Sequence, residues 1–347
     1  MKAQRRLRKF VKFATGGLHR LRYLLHWMLG RYSAKHLRLD GDLDLLGRNI
    51  CIFSIFCHEK RIPRSTLALT RAIKRAGYDL IVVLNGAHGA REEFQNGLGS
   101  RDILITRPNL GRDFAAYQLV TNLLLAKKRP FDRILYCNDS VFYLDRNDAN
   151  DIFRHLLSSD HPWIGMTENY PRYHVSSWCF QLSSHALMTP ALTGFWKRYR
   201  PVDSHHHAVK AGEQGLTGAL LKAGFVPTIM FDAASLLKAI LRKYRLADDG
   251  GVLQQLSTLP AGSAPSSQSQ AVLASLYQGE RANQANHLSM LLISELGFPF
   301  VKKKLARQGY CPISLLVLVL EKFMSDFCLE TVHEVRLTGM RMRKRWF

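Results

Sequence analysis

The first cluster of residues whose types could do chemistry spans 108–113, with the sequence Pro-Asn-Leu-Gly-Arg-Asp, between a predicted strand and a predicted helix. Gly111 allows a tight turn there, and the first turn of the following helix offers free backbone N–H groups to an anion. Arg112 is a suitable partner for a phosphate group, whereas Asp113 could serve only as the N-cap of the helix. The cluster therefore predicts either an anion site or an ordinary helix cap.

The second cluster, Asn138-Asp139-Ser140, directly follows an apolar run. A carboxylate at the carboxyl end of a central strand can bind a nucleotide diphosphate, either directly or through a divalent cation such as Mg²⁺ or Mn²⁺. One carboxylate makes an incomplete metal site, although Asp145 and Asp148 follow closely in the sequence. The alternative is a polar turn that does no more than close the strand.

The third cluster, Gly-Glu-Gln-Gly-Leu-Thr at 212–217, opens a predicted helix. Glu213 could simply interact with the helix dipole, or it could take a proton from a sugar hydroxyl as a general base. Upstream, His174, Ser176 and Trp178 offer aromatic and hydroxyl groups that suit a sugar ring. A Trp178 that faces the core is an equally good interpretation.

The remaining histidines and cysteines do not form a metal-binding pattern. The three consecutive histidines at 205–207 do not face one another, and no cysteine or acidic cluster accompanies them, so we predict a loop there. The cysteines include no CxxC pair, and several lie in apolar runs, which predicts buried, reduced thiols of a cytosolic protein. They are Cys51, Cys57, Cys137, Cys179, Cys311 and Cys328.

An α/β arrangement must position these clusters. From residue 49 onward, apolar runs rich in β-branched residues alternate with segments of helical spacing, which predicts parallel strands in a sheet covered by helices on both faces. The polar clusters follow the carboxyl ends of strands, where such sheets bind ligands. The predicted strands are 49–56, 80–84, 102–106, 133–137, 163–167, 175–182 and 226–231, and the predicted helices are 64–76, 114–125, 192–199 and 214–222.

The chain is strongly basic. Its 347 residues include 49 Lys and Arg against 27 Asp and Glu, a formal net charge of +22. Such a charge attracts nucleic acid, acidic lipid surfaces or phosphorylated substrates, and composition alone does not choose among them. No apolar run approaches the roughly 18 residues of a membrane-spanning helix, and the N-terminus lacks the apolar core of a signal peptide. We therefore expect a protein that stays inside the cell.

Helical segments are predicted at both ends of the chain, before and after the sheet domain. Residues 1–45 combine apolar residues at helical spacing with flanking Lys and Arg and have no acid before Asp40, which is typical of a helix lying on an anionic membrane. A helix packed on the domain with a solvated basic side is the alternative, and nucleic acid is disfavoured because no binding motif appears. The predicted domain 46–246 is followed by a flexible linker at 247–280 and a C-terminal helical extension with a basic tail at 281–347.

Taken in order, the motifs resemble those of the rhamnan synthesis protein F family of bacterial polysaccharide glycosyltransferases. The resemblance covers roughly residues 49 to 310 with a gap at the linker, and its most specific part is GRD combined with NDS. The matching stretches are PNLGRDFAAY at 108–117, RILYCNDSVF at 133–142, PWIGMTE at 162–168, HVSSWCFQLSSHAL at 174–187, TGFWKRY at 193–199, GEQGLTGALLKAGF at 212–225 and NQANHLSMLLISELGFPFVKKKLAR at 283–307.

The resemblance implies a GT-A-like, Rossmann-type sheet that binds a nucleotide-diphosphate sugar. It aligns 138–140 with an Asp-x-Asp metal motif, although only Asp139 is acidic here, which weakens the expectation of metal dependence. Glu213 matches the general base of inverting members. The implied contacts to the donor are Ser54, His58, Asn85, Asn109, Gly111, Arg112, Asp113, Asn138 and Ser140.

The function that follows is sugar transfer to a growing lipid-linked cell-surface polysaccharide or lipopolysaccharide, with rhamnose suggested only by the family name. Asp139 would hold the diphosphate and Glu213 would act as the base. The basic N-terminus would bring the enzyme to the inner face of the cytoplasmic membrane, where a lipid-linked acceptor lies. The alternative is a non-catalytic interaction protein that keeps the fold but lacks the second acid.

Overall fold

The computed structural model describes residues 37–56, 62–86, 97–144, 149–170, 172–244 and 282–307, together with Leu21 and Phe94. Most of the predicted membrane-association segment, the linker and the basic tail lie outside these ranges, as do His58, Asp145 and Asp148. Among the described helices, none has the length and apolar composition needed to cross a membrane.

The elements of the described residues are numbered in chain order. The strands are β1 (Arg38–Asp40), β2 (Asn49–Phe56), β3 (Asp79–Asn85), β4 (Ile103–Arg107), β5 (Arg133–Asn138), β6 (Val141–Tyr143), β7 (Trp163–Gly165), β8 (Glu168–Tyr170), β9 (His174–Val175), β10 (Cys179–Ser183), β11 (Thr228–Ile229), β12 (Ala282–Asn283) and β13 (Phe300–Lys302). The helices are α1 (Arg64–Arg75), α2 (Arg112–Ala126), α3 (Ala149–Ser158), α4 (Ser184–Leu187), α5 (Pro190–Arg198), α6 (His205–His207), α7 (Gln214–Lys222), α8 (Ala233–Tyr244), α9 (Gln284–His287), α10 (Ser289–Leu296) and α11 (Lys303–Arg307), and a π-helical turn at Ala208–Glu213 joins α6 to α7.

Four parallel strands, in the order β4-β3-β2-β5, form the centre of an eight-stranded sheet. Every residue of β3 and β4 is buried, as their continuous apolar sequences predict. The chain runs outward from β2 through β3 to β4, and then returns to β5 on the other side of β2. This reversal makes a topological switch point between β2 and β5, and sheets of this kind bind ligands outside the carboxyl ends of the strands there.

Two hydrophobic cores lie on the two faces of the sheet. Cys51 and Phe53 of β2 belong to the core that includes α1, whereas Ile50 and Ile52 belong to the core that includes α2 and α5. The prediction of an α/β sheet flanked by helices is therefore confirmed. The prediction of buried free thiols is confirmed for Cys51, Cys137 and Cys179, and Cys57, Cys311 and Cys328 lie outside the described residues.

The outer strands correct the expectation of wholly parallel pairing. β1 pairs antiparallel with β4, and β10 pairs antiparallel with both β5 and β7, while β11 is parallel to β7. The described residues between β7 and β10 contain no helix, and strands joined without a crossover run antiparallel. The sheet is therefore mixed, with the antiparallel strand β10 directly beside the central group.

Three predicted elements differ from the structure. The strand predicted at 175–182 is two strands, because the backbone N–H of Ser177 between them donates to Glu213 instead of to a neighbouring strand. The strand predicted at 226–231 is confined to β11. The loop predicted at 205–207 is helical, since the Ser204 hydroxyl accepts from the His207 N–H and caps that helix.

The C-terminal segment 282–307 contains three helices, in keeping with the prediction of a mainly helical extension, and it also supplies two strands to small sheets. β12 pairs with β8, and β13 pairs antiparallel with β6 directly after the end of β5. Leu292, Phe298 and Phe300 of this segment are buried in the same core as β2 and α1. The segment is thus an integral part of the sheet domain, and it lies beside the carboxyl ends of the central strands.

Candidate functional site

Polar side chains at the ends of β2, β3 and β5 form a continuous hydrogen-bonded edge at the switch point. Asn85 donates through Nδ2 to Ser54 Oγ at 3.0 Å and to the Ile55 carbonyl at 3.0 Å. Ser54 lies opposite Asn138 in the parallel register of β2 and β5. Within the described residues, Asn85 Oδ1 is buried and accepts no hydrogen bond, which is an exception to the usual pairing of buried polar atoms.

Asp113 joins this edge from the first turn of α2. Its carboxylate accepts from Ser54 Oγ at 3.2 Å and from Asn138 Nδ2 at 2.9 Å. Burial, together with the nearby charge of Asp139, raises the pKa of Asp113 to about 6. The N-cap of α2 is Gly111, and no side chain caps the helix, so the alternative of Asp113 as an ordinary N-cap is wrong.

The turn before α2 has the left-handed backbone that its glycine predicts. Gly111 has φ +76°, and a Cβ there would lie 2.5 Å from Pro201, so only glycine fits without a shift. Arg112 also has a positive φ of 57°, and its exposed guanidinium lies 3.6 Å from Asp203. Asn109 is exposed and packs against Gly86, next to Asn85. Arg112 and Asn109 therefore lie at the rim of the polar edge.

Asp139 is held at the end of β5 by two contacts. Its Oδ1 accepts from the backbone N–H of Phe56 at 3.2 Å, and its Oδ2 lies 3.4 Å from the amine of Lys303. The carboxylate of Asp139 is 14% exposed and the Lys303 side chain 8%, so this ion pair is mostly shielded from water. Asp139 faces the site, but a lysine is already bound to it.

Lys302 brings a second amine to the same place. Its Nζ donates to Ser140 Oγ at 2.9 Å and lies 4.8 Å above the centre of the Trp178 ring. Burial lowers the pKa of Lys302 to about 7, although the negative charges of Glu213 and Asp113 raise it and so oppose this change. The antiparallel register of β13 with β6 fixes this position, together with the bond from the Lys303 N–H to the Ser140 carbonyl.

Glu213 closes the cluster from the other side. It ends the π-helical turn, and its Oε1 accepts from the Ser177 N–H at 3.0 Å and from Ser177 Oγ at 2.7 Å. Its Oε2 lies 3.4 Å from Nε2 of His174. Burial alone would raise the pKa of Glu213, but the contacts from His174 and Ser177 together hold it below its usual value. Glu213 is therefore ionised at neutral pH.

The three residues predicted to touch a sugar differ in their surroundings. His174 contacts Glu213, and this partner raises the pKa of His174 although burial opposes the change. Ser176 is 3% exposed and accepts from both Thr167 and Asn169. Trp178 is also 3% exposed and donates through Nε1 to Thr167. The arrangement favours the alternative that Trp178 packs inward, where its ring supports Lys302.

The described residues around Asp139 do not fit a divalent cation. Asn138 donates to Asp113 and accepts from Ser140, so neither flanking side chain turns a free oxygen toward Asp139. Two lysine amines lie where a cation would approach Asp139 and Ser140. Nowhere in the described ranges do three His, Cys, Asp or Glu side chains gather as metal ligands. Asp113 is an acidic neighbour of Asp139, but its carboxylate already accepts from Ser54 and Asn138.

Sequence reasoning found most of the cluster but missed its cations. The structure brings together Ser54, Asn85, Asp113, Asn138, Asp139, Ser140, His174 and Glu213, which were all predicted as site residues. Lys302 and Lys303 were not singled out, although they lie in a stretch that carries the family resemblance. The sequence feature that could have revealed these two lysines is the short basic run directly after the apolar residues of β13, because it places amines at the end of a buried strand.

Comparison with known proteins gives similarity in structure alone. No protein-family model and no curated protein matches the chain. A provisionally named nucleotide-diphospho-sugar transferase from Desulfovibrio desulfuricans G20 is similar at 12% identity and a TM-score of 0.31, over 65% of this chain and 95% of that chain. The mannosyltransferase PcManGT from Pyrobaculum calidifontis, solved with GDP-Man and Mn²⁺, is similar at 10% identity and a TM-score of 0.35, over 94% and 96%. With both scores below 0.5, neither likeness identifies the activity of this chain.

Proposed function

We propose that this chain is an inverting glycosyltransferase that uses a nucleotide-diphosphate sugar as its donor. The observation that carries the proposal is the convergence of Asp113, Asp139 and Glu213 with Lys302 and Lys303 at the carboxyl ends of parallel strands. This is the place where open α/β sheets bind nucleotides, and it combines groups that can bind phosphates with a carboxylate that can accept a proton.

The reaction would be a single displacement at the anomeric carbon. The acceptor hydroxyl oxygen forms a bond to that carbon while the bond from the carbon to the phosphate oxygen breaks. The electron pair of the broken bond leaves with the nucleoside diphosphate, and the proton of the acceptor hydroxyl goes to Glu213. Because the acceptor attacks from the side opposite to the leaving group, the configuration at the carbon inverts.

The donor nucleotide would lie along the polar edge formed by Ser54, Asn85 and Asn138. The buried oxygen of Asn85, which accepts no hydrogen bond within the described residues, suits a hydroxyl or N–H donor of the nucleoside. Gly111 allows the chain to approach the diphosphate closely at the start of α2. Charge that develops on the departing phosphate would be offset by the amines beside Asp139.

Glu213 is suited to the role of base because of how it is held. The two bonds from Ser177 fix one carboxylate oxygen, while the other oxygen lies toward His174. Glu213 is ionised at neutral pH, so it can accept a proton without first losing one. A positioned base of this kind contributes about 10²- to 10⁴-fold to the rate.

We further propose that the acceptor is a lipid-linked polysaccharide or lipopolysaccharide intermediate, and that rhamnose is the first donor sugar to test. The support is the basic, amphipathic sequence of residues 1–45, which suits the anionic inner face of the cytoplasmic membrane, and the motif resemblance. A non-catalytic interaction protein is the second candidate. It is favoured by Asn138 and Ser140, which stand where an Asp-x-Asp motif would be acidic and are bonded to one another.

The test is transfer from a panel of radiolabelled nucleotide-diphosphate sugars to a bacterial lipid extract, with donor binding measured separately. We expect one donor to bind and Glu213→Gln to lower the transfer rate about 10²- to 10⁴-fold with unchanged donor affinity. Asp160→Asn is the matched control, because this fully exposed carboxylate lies at the opposite end of the sheet, beside Arg133 at the start of β5. If a donor binds but no acceptor supports transfer, the interaction protein is favoured; if no donor binds, the transferase proposal fails.

A further inference from the structure

We propose that Lys302, supported by Lys303, takes the place of a divalent cation at this site, so that the donor diphosphate is bound and released without a metal ion. This inference rests on the proposed function and deepens it by naming the residues that neutralise the leaving group. Its starting point is the poor fit of a divalent cation beside Asp139, where the described residues supply two amines and the nearby acid Asp113 is already hydrogen-bonded to Ser54 and Asn138.

The position of Lys302 is built into the fold. β13 pairs with β6 so that Lys302 lies opposite Val141, one residue after the Asn138-Asp139-Ser140 cluster. Phe300, which is 1% exposed, anchors the strand, since its ring packs 4.8 Å from that of Trp178 and 5.6 Å from that of Tyr143. The amine therefore has a fixed approach to the end of β5, unlike a lysine on a surface loop.

None of the carboxylates around Lys302 is paired with its amine within the described residues. Asp139 is paired with Lys303, and Glu213 with His174. Asp113 accepts two neutral hydrogen bonds, from Ser54 and Asn138. Among the described residues, the Lys302 amine has only the hydroxyl of Ser140 and the face of Trp178 as close partners, and no carboxylate oxygen lies within ion-pairing distance.

This arrangement gives each lysine a separate task. Lys303 cancels the charge of Asp139, which would otherwise repel a diphosphate. Lys302 is left with its charge available, and its amine can exchange the weak bond to Ser140 for a charge-assisted bond to a phosphate oxygen. The same bond would strengthen as negative charge collects on the leaving phosphate, which is what a metal ion provides in other phosphate sites.

The test is calorimetric binding of UDP, GDP and dTDP, and of the matching monophosphates, to the full chain in EDTA and in Mn²⁺. We expect one diphosphate to bind equally well, within about twofold, in both solutions. Lys302→Met should weaken that diphosphate about 10- to 100-fold, the value of one charge-assisted bond, and the monophosphate by less than about threefold. Lys302→Arg should keep most of the affinity, and Lys222→Met, a change of an exposed lysine at the end of α7, should have no effect.

The possible outcomes separate this inference from the proposed function. If the diphosphate binds only in Mn²⁺, or if Lys302→Met binds it as tightly as the wild type, the metal-free site is refuted while the transferase proposal stands. If none of the diphosphates binds in either solution, both fail. Should Lys302→Met not fold, as judged by its thermal melt, the EDTA comparison on the wild type and the Lys302→Arg variant still decide the question.

Discussion

Nucleoside diphosphate affinity is expected to fall as the pH rises from 6 to 8, because Lys302 must be protonated to bind a phosphate. Burial lowers the pKa of Lys302 to about 7 in the free protein. A bound diphosphate favours the charged amine and therefore raises this pKa. The protein consequently takes up a proton on binding wherever the free amine is neutral, and this uptake weakens binding at high pH.

The size of the effect follows from the two protonation states. With a free pKa of about 7, the charged fraction of free Lys302 falls from about 90% at pH 6 to about 10% at pH 8, whereas the amine bound to a phosphate is expected to stay charged. The dissociation constant therefore rises about tenfold over this range, equivalent to about 1.4 kcal/mol. Proton uptake rises in step, from about 0.1 to about 0.9 proton for each molecule bound.

Calorimetry in two buffers with different heats of ionisation measures both quantities. Asp113, Asp139, Glu213 and His174 also face the site, and the nucleotide itself titrates in this range. The matched control is Lys302→Arg, because arginine stays charged throughout while the other groups are retained. The difference between wild type and variant isolates Lys302. Equal pH dependence of the two proteins would refute the reasoning.

Three further predictions concern stability. A Cβ at Gly212 would lie 2.6 Å from the buried ring of Phe114, so Gly212→Ala should lower the free energy of unfolding by about 1 kcal/mol, because overpacking outweighs the gain in helix propensity. A Cβ at Gly218 would have nothing within 4 Å, so Gly218→Ala should raise the free energy of unfolding by about 0.5–1 kcal/mol. Urea titration of both variants measures these changes, and the reverse order of stability would contradict the prediction. The pKa of Asp113 is raised from 3.8 to about 6, so its favourable contribution to stability is complete below pH 3.8 and is lost as the pH rises through 6. Between pH 4 and pH 7, the free energy of unfolding of Asp113→Asn should therefore rise by up to about 3 kcal/mol relative to that of the wild type. Phe300→Ala should cost about 3–5 kcal/mol and also weaken diphosphate binding; a thermal melt that does not shift would show that β13 is not anchored by this ring.

The parallel centre of the sheet could be predicted from the sequence because its signals are local. The eight residues of β2 are almost continuously apolar, a pattern typical of a strand buried on both faces. The predicted bounds of this strand agree with the structure. The family resemblance implied that Asp113 and Asn138 both contact the donor, and the polar clusters were predicted to follow the carboxyl ends of strands. The interactions that determine these strands can be recognised from short stretches of sequence.

The parts that could not be predicted depend on contacts between distant residues. Ser140 and Lys302 are 162 residues apart, and no local pattern says that β13 pairs with β6. Glu213 was predicted at the start of a helix, where the helix dipole would explain it. The helix in fact continues back through a π-helical turn to His205, and the carboxylate is explained by its bonds to Ser177 instead. A helical pattern does not reveal such a turn, because it changes the register by one residue without changing the composition.

From the long separation between Ser140 and Lys302 we also expect an order in which the molecule assembles. The central strands lie within residues 49–138, so they can pair while later residues are still being synthesised, whereas a contact across 162 residues closes a long loop and forms late. Until then Asp139 has no amine partner, and the core beside α1 lacks Phe298 and Phe300. Binding of a nucleoside diphosphate is therefore expected to require the segment 282–307, because a chain cut short before residue 282 would lack both lysine amines and part of the core.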